Sequence, residues 1–140
     1  MKFRTILCED NKYVSEIIKF ILEDRGHEVF FFEDPGDCHI YTLRECNCDH
    51  VNLCADIIIS DISMPKVDGL NFIEQLRKKG CNIKNIALIS GYWTKDDIKR
   101  ARKLGCTIFF KPVSPTTLTE WLDVCEKDIP PERTLSDFQQ

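Results

Sequence analysis

Glu9-Asp10, Asp61, Ser90 and Lys111-Pro112 each stand at the end of a short apolar run in this chain. Three carboxylates held within a few ångströms repel one another and need a cation to coexist ionised. Hard oxygen ligands that leave room for water and phosphate suit Mg2+. One Mg2+ and the Lys111 ammonium together match three carboxylate charges, which leaves the site ready for a phosphoryl group. A carboxylate so placed can act as a nucleophile and form an aspartyl-phosphate. Metal and ammonium then stabilise the equatorial oxygens in transit, and Ser90 can donate a hydrogen bond to the arriving group. Taken singly, each residue has an ordinary explanation: a solvated helix start, a turn, a surface charge. All four closing successive strands points to a site.

The elements that must position these groups follow from apolar spacing. Phe3 to Cys8 reads as a strand, and Asn11 caps a helix to about Arg25, with Val14, Ile17, Ile18, Ile21 and Leu22 at helical spacing. Val29 to Phe32 is a second strand, and Asp34-Pro35 opens a second helical region. The run Ile57-Ile58-Ile59 reads as a strand buried on both faces. Asp68 caps a helix to about Lys79, Ile83 to Ile89 contains a fourth strand, and Thr94 caps a helix carrying Ile98, Ala101 and Leu104. Cys106 to Phe110 is the fifth strand. Thr116 to Lys127 is a final helix with Leu118, Trp121, Leu122 and Cys125 on one side, and residues 128–140 are expected to form a tail that frays, Phe138 included. Five strands alternating with about five helices predict an α/β fold, a doubly wound five-stranded parallel sheet with helices on both faces. Parallel strands place their carboxyl ends on one side, so Glu9, Asp10, Asp61, Ser90 and Lys111 should converge there.

The totals fit one domain, residues 1–127, with an elaboration at about 36–54. At 140 residues, 43% hydrophobic and 30% charged, the chain has an ordinary globular composition. A net charge of −4 argues against direct nucleic-acid binding and membrane-surface attachment. No apolar run approaches the ~20 residues that span a bilayer, and the early acidic residues do not fit a signal peptide. A cytoplasmic location is expected.

Eight cysteines are many for such a chain and should be reduced, metal-bound or redox-active. Cys38, Cys46, Cys48 and Cys54 can supply a four-thiolate Zn2+ site, with His39 or His50 as substitutes. The competing expectation is that these cysteines pack as small apolar residues. Cys8, Cys81, Cys106 and Cys125 fall near regular elements and read as structural.

Glu9-Asp10, the run Asp61-Ile62-Ser63-Met64-Pro65-Lys66-Val67-Asp68-Gly69, Ser90-Gly91 and Lys111-Pro112, in this order, resemble the receiver domain of bacterial two-component response regulators, over about residues 3 to 127. The resemblance implies the flavodoxin-like receiver fold and phosphorylation of Asp61 by a sensor histidine kinase or a histidine phosphotransfer protein. It implies Mg2+ bound by Asp10, Asp61 and the Ser63 backbone carbonyl, with Glu9 acting largely through water. Lys111 would contact the phosphoryl group, Ser90 would move toward it, and the Lys111–Pro112 bond would be cis. It also implies a stand-alone, chemotaxis-type switch, with catalysis limited to its own phosphorylation and dephosphorylation. Its output would be binding to a downstream protein, and receivers of this kind can form homodimers.

Three features depart from the family pattern. Ile108 stands where an aromatic residue usually swings inward on activation, so Tyr92, Trp93 or Phe109 would have to replace it. The connection before the third strand is long and cysteine-rich, and no output domain is expected after the final helix. Tyr92, two residues after Ser90, is expected to slow loss of the phosphoryl group. Two other classes compete. An aspartyl-phosphate hydrolase would place an Asp-x-Asp pattern after the first strand, where this chain has Glu9-Asp10-Asn11. A metal- or redox-sensing module would rely on the cysteine segment and carry a degenerate phosphorylation site.

Overall fold

A computed structural model describes residues 2–38, 41, 46, 48, 49 and 51–136. Along the chain run β1 (Phe3–Cys8), α1 (Lys12–Asp24), β2 (His27–Phe32), the short β3 (Asn52–Leu53), β4 (Ile57–Asp61) and α2 (Gly69–Lys78). They are followed by β5 (Asn85–Ser90), α3 (Lys95–Lys103), β6 (Thr107–Phe110), α4 (Pro115–Asp128) and the short β7 (Thr134–Leu135). The main sheet has the order β2-β1-β4-β5-β6, every pair parallel.

Side chains of a strand alternate between faces, and the three isoleucines of β4 show the consequence. Ile57 and Ile59 join Leu7, Ala87 and Ile89 in the core beneath Ile18 and Leu22 of α1 and Leu118 and Leu122 of α4. Ile58 joins Ile6, Ile86 and Leu88 on the opposite face, under Leu70, Ile73 and Leu76 of α2 and Ala101 of α3. β4 is thus covered on both sides, and its five residues are all buried. This is the environment in which an uninterrupted apolar run is stable, and it confirms the doubly wound α/β architecture expected from the sequence.

The helices begin where the strands stop. Asn11 Oδ1 accepts from Val14 N at 3.0 Å, Asp68 Oδ1 from Asn71 N at 2.8 Å and Thr94 Oγ1 from Asp97 N at 3.0 Å. Each cap satisfies an amide that the first helical turn leaves without a partner. The last helix starts slightly earlier than its apolar spacing suggests: Ser114 caps it and Pro115 occupies its first turn.

Among the described residues, the helical region expected after Asp34-Pro35 opens as a 3-10 turn, Pro35–Asp37, capped by Asp34, and Tyr41 is helical. One segment differs from the sequence reading: the residues expected to fray after α4 are tied down as far as Ser136. Ile129 is buried, and Thr134–Leu135 pair in parallel with Asn52–Leu53. The Arg133 guanidinium donates two bonds of 2.7 Å to the carboxylate of Asp56, which is also held by Arg4 N at 2.9 Å. These contacts join residues far apart in sequence, so no local pattern announces them. Phe138 lies outside the described residues.

Candidate functional site

Strand register decides what meets at the carboxyl edge of the sheet. Cys8 pairs with Ser60, Asp61 with Ile89 and Ser90 with Phe110, so the four strand ends are level. Backbone bonds hold the exits, Ile62 N to Ile89 O at 3.0 Å and Lys111 N to Ser90 O at 2.9 Å. Glu9, Asp10 and Asp61 are thereby gathered with one carboxylate oxygen from each within 4.8 Å of the others. The Lys111 ammonium donates to Asp61 Oδ2 at 2.8 Å and to Glu9 Oε1 at 3.1 Å. The convergence expected from strand-end positions is present.

Burial makes the cluster electrostatically demanding. Glu9 and Asp61 are 1% and 5% exposed, whereas Asp10 is exposed. Burial, and after it the Asp61 carboxylate, push the Glu9 carboxyl above its ordinary range, and the bonds from Lys111 and Asn11 N pull back only part of that. For Lys111, burial acts to lower the pKa, but its hydrogen bonds to Asp61 and Glu9 prevail and hold it raised. One lysine does not satisfy the pair: Glu9 Oε2 is buried without any hydrogen-bond partner. An unpartnered, buried carboxylate oxygen is costly, and a cation relieves it.

The loop from β4 to α2 forms one wall of an open cleft of about 610 Å3 lined by Asp10, Ser63, Met64, Asp68, Asp97 and Arg100. Gly69 makes its tight return possible. A Cβ at Gly69 would collide with the Asp61 carbonyl and stand 3.1 Å from Ser60 Oγ. Asp34, which the sequence reading treated only as a helix start, is the organiser that reading missed. Its buried carboxylate accepts from Lys66 N at 2.7 Å, Val67 N at 3.2 Å and Gly36 N at 2.8 Å. An acid before a proline is an ordinary turn signal, and nothing local shows that it clamps a loop some thirty residues away.

The response regulator receiver domain model matches residues 5–123. This chain belongs to that family. The receiver is 27% identical to the chemotaxis protein CheY of Thermotoga maritima over 125 residues, covering 89% of this chain and 98% of that one. It is 32% identical over 93 residues to the probable C4-dicarboxylate response regulator DctR of Halalkalibacterium halodurans, covering 66% of this chain and 37% of that one. In fold it is similar to the non-phosphorylated HemR receiver domain of Leptospira biflexa, with a TM-score of 0.75 at 19% identity, covering 91% and 97% of the two chains. It spans roughly a third to a half of the length of the longer curated relatives that it matches. Receiver domains are the signalling switches of two-component systems.

Within this receiver, Ser90 is buried at its strand end, and its hydroxyl donates to Tyr92 O at 2.8 Å while accepting from Tyr92 N at 3.1 Å. Tyr92 itself is exposed. Of the three aromatics considered in place of Ile108, Phe109 lies on the opposite face of the sheet, packed edge-on against Trp121 under α4. Trp93 shares the Ile108 side of the sheet and donates from its indole to Phe109 O at 2.9 Å. The Lys111–Pro112 bond is cis.

The cysteines are arranged differently from the set read in the sequence. Sulfur atoms of Cys46, Cys48, Cys54 and Cys81 lie within 4.8 Å of one another. Cys38 is not among them; it is fully buried in the core, where its charge would bear on Cys8. Cys81, assigned a structural role from its place near a regular element, takes the fourth position because the turn after α2 returns beneath the connection. His39 and His50 lie outside the described residues.

Proposed function

We propose that this receiver takes a phosphoryl group on Asp61 in a Mg2+-dependent phosphorelay and signals by changing what it binds. The observation that supports this most directly is the buried Glu9–Asp61 pair, which shares one lysine and leaves Glu9 Oε2 without a partner. Asp10, Asp61 and the Ser63 carbonyl would hold Mg2+ directly, with Glu9 reaching it through water; the three acids fit a hard, hydrated divalent ion. Bound there, Mg2+ supplies charge neutralisation for the oxygens of the transferring group. Lys111, donating to Asp61 Oδ2 at 2.8 Å, holds the Asp61 carboxylate oriented for in-line attack. A bond forms from an Asp61 oxygen to phosphorus as the phosphorus–nitrogen bond of a phosphohistidine breaks, and the imidazole takes up a proton as it leaves. Ser90 then exchanges its bond to Tyr92 O for one to the phosphoryl oxygen, which carries the change into the β5–α3 connection.

The donor is a sensor histidine kinase or a histidine phosphotransfer protein, and its histidine has to reach Asp61 through the mouth of the site. Beside that mouth, Lys111 and Pro112 share an apolar groove with Tyr13, Ile17 and Leu118. Tyr13 and the neighbouring Phe20 are largely exposed, which offers the donor an apolar flank on α1. The downstream partner is another protein, and a homodimer is a further form of the same output. Among the described residues, no helix is long and apolar enough to cross a membrane. We place the receiver in the cytoplasm, where kinases draw on ATP.

Incubation with a small phosphodonor and Mg2+, followed by intact-mass measurement, tests this reading. A single added phosphate, absent in Asp61→Asn, is the expected result. Continuous turnover of a phosphoester without a stoichiometric label would replace the switch with a hydrolase.

A further inference from the structure

We propose that Cys46, Cys48, Cys54 and Cys81 form a closed, structural Zn2+ site that pins the cysteine-rich connection to the amino-terminal edge of the sheet. Four sulfurs at the corners of a tetrahedron around Zn2+, with bonds of ~2.3 Å, stand about 3.8 Å apart. The observed separations bracket that value. They are 3.0 Å for Cys46–Cys48, 3.4 Å for Cys48–Cys54, 3.8 Å for Cys54–Cys81 and 3.9 Å for Cys46–Cys54. None of the four is in a disulfide, whose sulfurs would be about 2.05 Å apart. A disulfide also needs two sulfurs and gives no reason for four to converge from three stretches of chain. Ordinary apolar packing suits Cys106 and Cys125, which sit on opposite faces of the sheet.

The surrounding backbone is built to hold the thiolates. Cys54 N points at Cys48 Sγ from 3.3 Å, the N–H···S contact that stabilises a sulfur bearing negative charge. Cys46 N donates to Lys79 O at 2.8 Å, and Cys81 N to Leu76 O at 2.9 Å, so the connection and the end of α2 are joined through the sulfur ligands' own backbone. Gly80 turns the chain between them with φ +89, and a side chain there would come to 3.5 Å from the Cys46 carbonyl. Asp49 shapes the return from Cys48 to Cys54 by accepting from Val51 N and Asn52 N, both at 2.8 Å. Arg77 braces the backbone of the last ligand, donating to Cys81 O at 3.0 Å.

The set leaves no open coordination position, which marks a structural and not a catalytic metal. On binding, each thiol releases its proton to water and gives a sulfur lone pair to the ion; no oxidant or reductant is involved. Cys54 precedes β4 and Cys81 precedes β5, so the site lies at the sheet edge opposite Asp61. The five residues of β4 put roughly 15 Å of strand between them. The metal would stabilise the connection and, through β3, the paired β7, without touching the phosphorylation site.

The test uses the unaltered chain purified without chelators and with its thiols kept reduced. Metal analysis should find one zinc per chain. Replacement by Co2+ should give the visible bands of a tetrahedral thiolate site, with a sulfur-to-metal charge-transfer intensity appropriate to four thiolates. Cys81→Ser should lose both signals, and Cys106→Ser should keep them. A metal-free protein whose thiols all titrate freely, a mass showing disulfide bonds among the four, or zinc retained in Cys81→Ser would each overturn the proposal. Should Cys81→Ser fail to fold, the Co2+ spectrum of the unaltered protein decides alone. Phosphorylation of Asp61 is read separately by mass, so loss of one site is distinguishable from loss of the other.

Discussion

The Lys111 ammonium sits 2.8 Å from Asp61 Oδ2 and 3.1 Å from Glu9 Oε1, a single cation shared by two buried carboxylates. A Mg2+ bound as proposed would act on the same pair of acids, so lysine and metal would each partly replace the other. Replacing Lys111 with Met leaves the two acids to repel each other. The melting temperature without Mg2+ should fall, and the rise on adding Mg2+ should be larger than in the unaltered protein, because the ion alone then relieves the pair. Loss of the preorganised donor should also slow phosphorylation by about a hundredfold. Equal Mg2+-induced shifts in the two proteins would show that Lys111 does not share the metal's role.

Asp34 accepts from three backbone amides, and the two of Lys66 and Val67 hold the loop that carries Ser63. Asp34→Ala strands the two from Lys66 and Val67 near the site, at a cost of about 2 kcal/mol for leaving such donors without their acceptor. Denaturant unfolding should register that loss. Mg2+ affinity should fall with it, since the Ser63 carbonyl is no longer held in place, while Asp61 remains competent at saturating metal.

Arg133 fixes the segment after α4 by pairing with Asp56, both side chains nearly inaccessible. Among the described residues, Arg133→Ala leaves Asp56 with only the Arg4 amide, and removing one partner of a buried pair costs about 3 kcal/mol. The double variant Arg133→Ala with Asp56→Asn should recover part of that loss, as equilibrium unfolding would reveal. A tail that merely frayed would show neither effect.

Acid should weaken the junction of β2 and α4. His27 bonds Glu126 at 2.7 Å and Thr5 at 2.8 Å, and Glu126 also takes bonds of 2.9 and 2.8 Å from Arg25, which pairs in turn with Asp123. Burial pushes the His27 pKa down, more than Glu126 raises it; Arg25 adds to the lowering and Asp56 opposes it. For Glu126, burial acts upward, but the bonds from Arg25 and His27 prevail and hold the carboxyl below its usual range. As pH drops below about 6.5 the unfolded chain protonates its histidine before the folded chain does, and below about 4.3 the same holds for the glutamate. Both contributions are present at neutral pH and both are lost on acidification. Unfolding midpoints measured from pH 8 to 3 should decline in both windows, and Glu126→Gln should flatten the lower one.

Sequence alone determined the strands, the helix caps at Asn11, Asp68 and Thr94, and the side of the sheet where Glu9, Asp10, Asp61, Ser90 and Lys111 meet. Those follow from apolar period and from the rule that parallel strands end together, both local properties of the chain. Tertiary structure alone decided that one lysine serves both Glu9 and Asp61, and that Asp34 clamps the loop beside them. It also decided that Cys81 and not Cys38 joins Cys46, Cys48 and Cys54, and that Arg133 reaches back to Asp56. Each of these is a contact between distant segments, set by register and by turns whose path no spacing in the sequence records.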